Sequence, residues 1–120
     1  MNQEALTLEK IIERCRALNV HEKRPITDED GELVFYSKDI VEWNKLLTDM
    51  LGPAVKPEGI SPTKDDEVLT KEYGGIRSNQ TLFKKDCTDM TIIAMLWPWQ
   101  AAEYTTLIII CVDKARLRGK

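Results

Sequence analysis

The sequence predicts an α+β fold in which two amphipathic helices pack on a three- to five-stranded antiparallel sheet. Three observations predict it: apolar residues recur at three-and-four spacing in two segments of the first half; the pattern becomes strand-like beyond Gly75; and the links between those strand-like runs are short enough to join antiparallel neighbours. With 120 residues, 42% hydrophobic and 31% charged, the chain has the composition of one ordinary globular domain. The expected organisation is a single domain over residues 1–113, with a Pro/Gly-rich internal loop at 52–63 and a basic segment at 114–120.

The first helix is read from Ala5, Leu8, Ile11, Ile12, Cys15 and Leu18, which share one face, while Glu9, Lys10, Glu13, Arg14 and Arg16 take the other. Asn2 is its candidate cap and Asn19 its candidate stop. A short hairpin over 25–36 follows, with Pro25, Ile26 and Thr27 leading into an acidic turn at Asp28, Glu29, Asp30 and Gly31, and Leu33, Val34, Phe35 and Tyr36 returning. A calcium loop does not fit this turn. A loop glycine at Gly31 would put Ile26 at the first ligand position and Ser37 at the twelfth.

Ser37 is the expected cap of a second helix, whose buried stripe is Ile40, Trp43, Leu47, Met50 and Leu51, and Gly52-Pro53 ends it. Thr63 and Asp66 have capping-box spacing and start a short helix through Val68, Leu69 and Tyr73, closed by Gly74 and Gly75. Strands are expected at 81–85, 90–97 and 104–112, separated by turns at 86–89 and 98–103, as a three-stranded meander. Lys84 and Lys85 mark the first of these as an edge strand.

The second and third strands are apolar on both faces. Ile92, Ala94 and Leu96 alternate with Ile93, Met95 and Trp97, and Leu107, Ile109 and Cys111 alternate with Ile108, Ile110 and Val112. A sheet with one wet face would alternate with polar residues instead. Two helices cover one face; the other needs the segment 53–79 folded back across it, or the same face of a second subunit. A homodimer through Ile108, Ile110 and Val112 is therefore one expectation.

Twenty acids against seventeen bases give a net charge of −3. Lys114, Arg116, Arg118 and Lys120 are all in the final seven residues, and the remainder carries 13 bases against 20 acids. An acidic body disfavours a phosphate backbone, so nucleic acid is not an expected partner unless the basic segment acts alone. The longest apolar stretches, 91–99 and 104–112, fall short of the roughly 20 residues that span a bilayer. With acids at Glu4, Glu9 and Glu13 no secretory signal is visible, and a cytoplasmic, membrane-free protein is expected.

Three widely spaced cysteines and one histidine make neither a disulfide scaffold nor a zinc site, and no metal or cofactor is expected. Cys15 and Cys111 fall on apolar positions as small hydrophobes. Cys87, in a polar turn beside Lys84 and Lys85, is the candidate reactive thiol. His21, in the charged connector His21-Glu22-Lys23-Arg24, is a conceivable general base that Glu22 or an acid of 28–30 would orient, but no catalytic set forms around it. The acidic runs Asp28 to Glu32 and Asp65 to Glu67 suit a solvated turn and a helix start.

Two loops carry the candidate binding residues. Gly74 and Gly75 free the backbone to aim N–H groups at an anion, which Arg77 and Asn79 would help to hold, although no Walker or dinucleotide pattern is present. Trp97-Pro98-Trp99 puts aromatic area beside a hairpin loop, and Trp99 is the better anchor because Pro98 takes the chain out of the ladder. The leading expectation is a small non-enzymatic protein-interaction or assembly module, acting through Ile108, Ile110, Val112 and Trp99. The alternative is a ligand-binding or enzymatic domain with an anion pocket between the 74–80 and 97–104 loops.

Overall fold

The computed structural model describes residues 8–23, 30–87, 90–100 and 103–113. The expected cap Asn2 and Ala5, the start of the expected hairpin at 25–27, the acids Asp28 and Glu29, and the basic segment 114–120 lie outside them. Among the described residues the fold is α+β, with three helices and one five-stranded antiparallel sheet. In chain order the elements are α1 (Leu8–Cys15), β1 (Val20–Lys23), β2 (Asp30–Tyr36), α2 (Ile40–Leu51), α3 (Lys64–Thr70), β3 (Thr81–Asp86), β4 (Met90–Pro98) and β5 (Tyr104–Asp113). The order across the sheet is β1-β2-β5-β4-β3. The C-terminal meander forms as its short links require, and β3 is an edge strand as its lysines suggest.

The first face holds the larger core. Leu8, Ile11, Ile12 and Cys15 of α1 and Trp43, Leu47, Met50 and Leu51 of α2 bury against Phe35, Phe83, Ile92, Leu96, Leu107 and Ile109. Each fully buried apolar side chain contributes about 1.5–3 kcal/mol. Trp43 stacks on Phe35 with centroids 4.3 Å apart and planes within 10°, which fixes α2 against β2.

Four local expectations are corrected. The hairpin pairs β1 with β2 in the register Val20 to Phe35 and Lys23 to Leu33, so its first strand precedes Pro25, whose missing N–H would leave a gap in a ladder. Asp30 and Gly31 are not a turn but the first residues of β2, opposite Ile110 and Ile109. Ser37 does not cap α2: a 3-10 turn over Ser37–Asp39 precedes the helix, and the Ser37 hydroxyl bonds Thr105 Oγ1 at 2.8 Å instead. The first helix also ends at Cys15, short of Asn19.

Other local signals hold. Gly52 ends α2 at φ +88°, its N–H donating to Thr48 O at 2.8 Å. The capping box closes both ways, Asp66 N–H donating to Thr63 Oγ1 at 3.1 Å and Thr63 N–H to Asp66 Oδ2 at 2.9 Å.

Candidate functional site

Antiparallel partners point to the same side of a sheet, so the register defines the second face row by row. One row is Lys84, Ile93, Ile110 and Asp30; the next is Leu82, Met95, Ile108 and Glu32. Then come Trp97, Thr106 and Val34, and finally Tyr104 with Tyr36. In the first two rows the β4 and β5 positions are apolar, Leu82 adds an apolar position on β3, and acids stand on β2.

The chain itself covers the apolar side. Leu69 of α3, with Tyr73 and Ile76 beyond it, packs on Leu82, Ile93, Met95, Ile110 and Val112. Of the two covers the sequence allows, the segment 53–79 supplies this one. Its neck is held by Lys56, only 1% exposed, whose ammonium donates to Pro57 O at 3.0 Å, Ser78 O at 2.8 Å and Gln80 O. Three donors meet three carbonyls, so the buried charge is fully hydrogen-bonded. Burial still pushes its pKa below the ordinary lysine value, with Asp66 and Glu58 pulling it back. The Lys56 backbone also pairs with Leu82, which extends the sheet past edge strand β3.

Where this cover stops, the described residues leave the β2–β5 half of the face open as a groove of about 540 Å³. Ile108 and Ile110 form its floor, Tyr73 and Trp97 stand on the covered side, and Asp30 and Glu32 line the β2 side with the bare backbone of Gly31 between them. Among the described residues no lysine or arginine lines it.

Along the same two strands the face ends in a ridge of rings. A bulge in β1 between Val20 and Glu22 turns His21 onto this side, where it stacks on Tyr104 at 4.4 Å and meets Tyr36 at 5.0 Å. The Tyr36 hydroxyl and His21 Nδ1 are 3.1 Å apart. Trp99 joins through Tyr104 at 5.1 Å and donates from Nε1 to Thr106 Oγ1 at 2.7 Å. Lys38 places its ammonium 5.6 Å from the Tyr36 ring centre. Desolvation, then the Glu103 carboxylate and the Tyr36 phenol, raise the Tyr104 pKa.

The sequence reading misses this ridge because it treats His21 as part of a charged connector. The β-branched Val20 hints at a strand there but not at the ridge, and Tyr36 and Tyr104 meet only through the register.

The candidate residues named from sequence do not all meet. Gly74, at φ +99°, lies against the Trp97 ring. The Gly75 N–H closes the preceding helical turn on Thr70 O at 2.9 Å, and the Arg77 N–H is held by Gln80 Oε1 at 2.8 Å. Arg77 and Asn79 are exposed, and neither they nor Trp99 line the groove. Ile110 and Val112 are buried within the chain, Ile108 is half-buried, and Trp99 is 36% exposed.

Cys15 is buried, while Cys87 and Cys111 are half-buried against the first core. Among the described residues no three metal-ligating side chains cluster, and no helix is long and apolar enough to cross a membrane. A larger crease, about 850 Å³, runs along α2 beside the end of α1. It is formed by side chains such as Val41, Lys45 and Leu46 and crossed by the exposed Arg14–Asp49 pair at 3.1 Å, the ordinary outer surface of two packed helices. Compared with known proteins, the chain matches no protein-family model, no curated protein and no solved structure.

Proposed function

We propose that this protein is a small non-enzymatic interaction module that binds a polypeptide, another protein or a second copy of itself, through the open half of the second sheet face. One observation carries the reading: among the described residues the chain's own cover ends at Tyr73, beside Trp97 of β4, leaving an apolar-floored groove in line with the Trp99, Tyr104, His21 and Tyr36 ridge. Aromatic groups with some exposure give large contact area at low entropic cost and are enriched where partners bind.

The sheet edges favour a face-on contact. β1 is four residues long and bulged, and β3 carries Lys84 and Lys85 outward and is partly paired by Lys56. Both devices discourage strand addition.

Panning a random heptapeptide library against the wild-type protein and a Trp99→Ala/Tyr104→Ala variant tests the reading. Sedimentation at micromolar concentration tests self-binding in parallel. Peptides that bind the wild type and not the folded variant support the module, as does a dimer disrupted by the same substitutions. A monomer that selects no peptide family sinks it.

The alternative is an anion pocket between the 74–80 and 97–104 loops, using Arg77, Asn79 and Trp99. It predicts that phosphate or a small carboxylate raises the melting temperature, and that Arg77→Ala and Trp99→Ala each remove the shift.

A further inference from the structure

We infer that the groove beside β2 receives a basic side chain, arginine or lysine, carried by an extended segment of the partner polypeptide. The inference rests on the interaction-module reading and specifies the chemistry of its central contact. Asp30 and Glu32, two residues apart, lie on the same side of β2, in register with Ile110 and Ile108. Each carboxylate therefore has an aliphatic floor directly beside it. Tyr73 and Trp97 bound the other side of the groove, and their ring faces attract cations.

An arginine or lysine matches this composition part by part. Its methylene stem lies on Ile108 and Ile110 while its head reaches the carboxylates and rings. An anionic group would meet two acids with no base among the described lining residues, and a purely apolar group would bury the acids. Both acids already hold interactions within the chain, which the incoming cation joins or replaces.

A polypeptide source, rather than a free amine, follows from the continuity of the face. Asp30 and Tyr36 are the two ends of β2, six residues apart. At about 3.4 Å per residue this is about 20 Å, the reach of an extended segment of about six residues. Such a segment sets its basic residue in the groove and a later side chain on the Trp99–Tyr104 ridge. Free amines use only the groove.

The test is a heptapeptide selection on the wild type and on an Asp30→Asn/Glu32→Gln variant, with circular dichroism to show that the variant folds. The expected result is a wild-type peptide family sharing arginine or lysine at one position. Replacing that arginine by citrulline, or lysine by norleucine, lowers affinity at least about tenfold, and the double variant loses as much. Selected peptides without a common basic residue, or equal binding by the neutral replacements, overturn the inference while leaving the module reading intact. No selected family at all overturns the inference, and overturns the module reading as well when sedimentation shows a monomer. Agmatine binding as tightly as the best peptide overturns the polypeptide source.

Discussion

Trp97 lies against the bare backbone of Gly74, where a Cβ would come within 2.8 Å of Trp97 Cη2. The contact joins the cover segment to β4 at the wall of the groove. It explains why glycine serves here twice over, once for its φ of +99° and once for the close approach.

Gly74→Ala is expected to destabilise the fold by about 1–3 kcal/mol through backbone strain and displacement of the indole. Gly75 also has a positive φ, +79°, but open space around it, so Gly75→Ala loses only the backbone part, about 1 kcal/mol. Urea midpoints of the two variants, with near-UV circular dichroism for the tryptophan environment, separate the effects.

Lys56→Met keeps the stem and removes the ammonium from Pro57, Ser78 and Gln80. Leaving those carbonyls without their donor costs about 3 kcal/mol. Native-state hydrogen exchange is expected to show the loss as faster opening of 57–80, with β4 and β5 amides changed only through global stability. Uniform protection across the sheet and the cover in the variant contradicts the clasp.

Two buried groups give opposite pH dependences at the alkaline end. Burial pushes the Cys15 thiol up to about 12, with Arg14 opposing, from an ordinary 9.0. Its contribution to stability is complete below pH 9, declines as the unfolded thiol ionises, and is lost by pH 12. Lys56 is held below 10.5, so the folded chain binds that proton less tightly and its contribution rises with pH up to 10.5. Comparing denaturation of Cys15→Ala and wild type between pH 8 and pH 10 isolates the thiol, since the variant lacks its decline. Iodoacetamide in native buffer is expected to leave Cys15 unmodified.

Thr63→Ala opens the capping box of α3 and is expected to cost about 1 kcal/mol. Because Leu69 rides on that helix against the second core, the loss is read both in the melting temperature and in faster exchange at Leu69.

Local signals and nonlocal ones differ in how much they reveal. The capping box at Thr63, the Gly52 stop and the strand runs after Gly75 are legible because each rests on residues within one turn or one strand of each other. Ser37 looks like a cap by the same logic, yet the nearby Thr105 hydroxyl competes for its side chain, and that neighbour is 68 positions away. Gly31 reads as a turn residue because Asp-Gly is a strong local turn signal. Pairing with β5 outweighs it, supplying ladder hydrogen bonds on a strand whose Leu33 and Phe35 are buried.

The candidate site divides in the same way. Ile108, Ile110 and Val112 are visible in the sequence as surplus apolar surface, but their fates differ: Val112 is buried in the second core away from the groove, while Ile110 and the half-buried Ile108 form the groove floor. The His21, Tyr36, Tyr104 and Trp99 ridge has no sequence signature, since its members come from three separate segments.

By itself the sequence determined the α+β class, the antiparallel meander, the helix stripes and the presence of a second apolar sheet face, because periodicity and turn chemistry act over a few residues. Only the tertiary structure decided what lies over that face. The Lys56 clasp brings 57–80 back across β3 and β4, and the β2–β5 register sets Asp30 and Glu32 beside Ile110 and Ile108. Both depend on contacts between distant parts of the chain, whose geometry follows from packing the core and satisfying buried hydrogen bonds rather than from any local pattern.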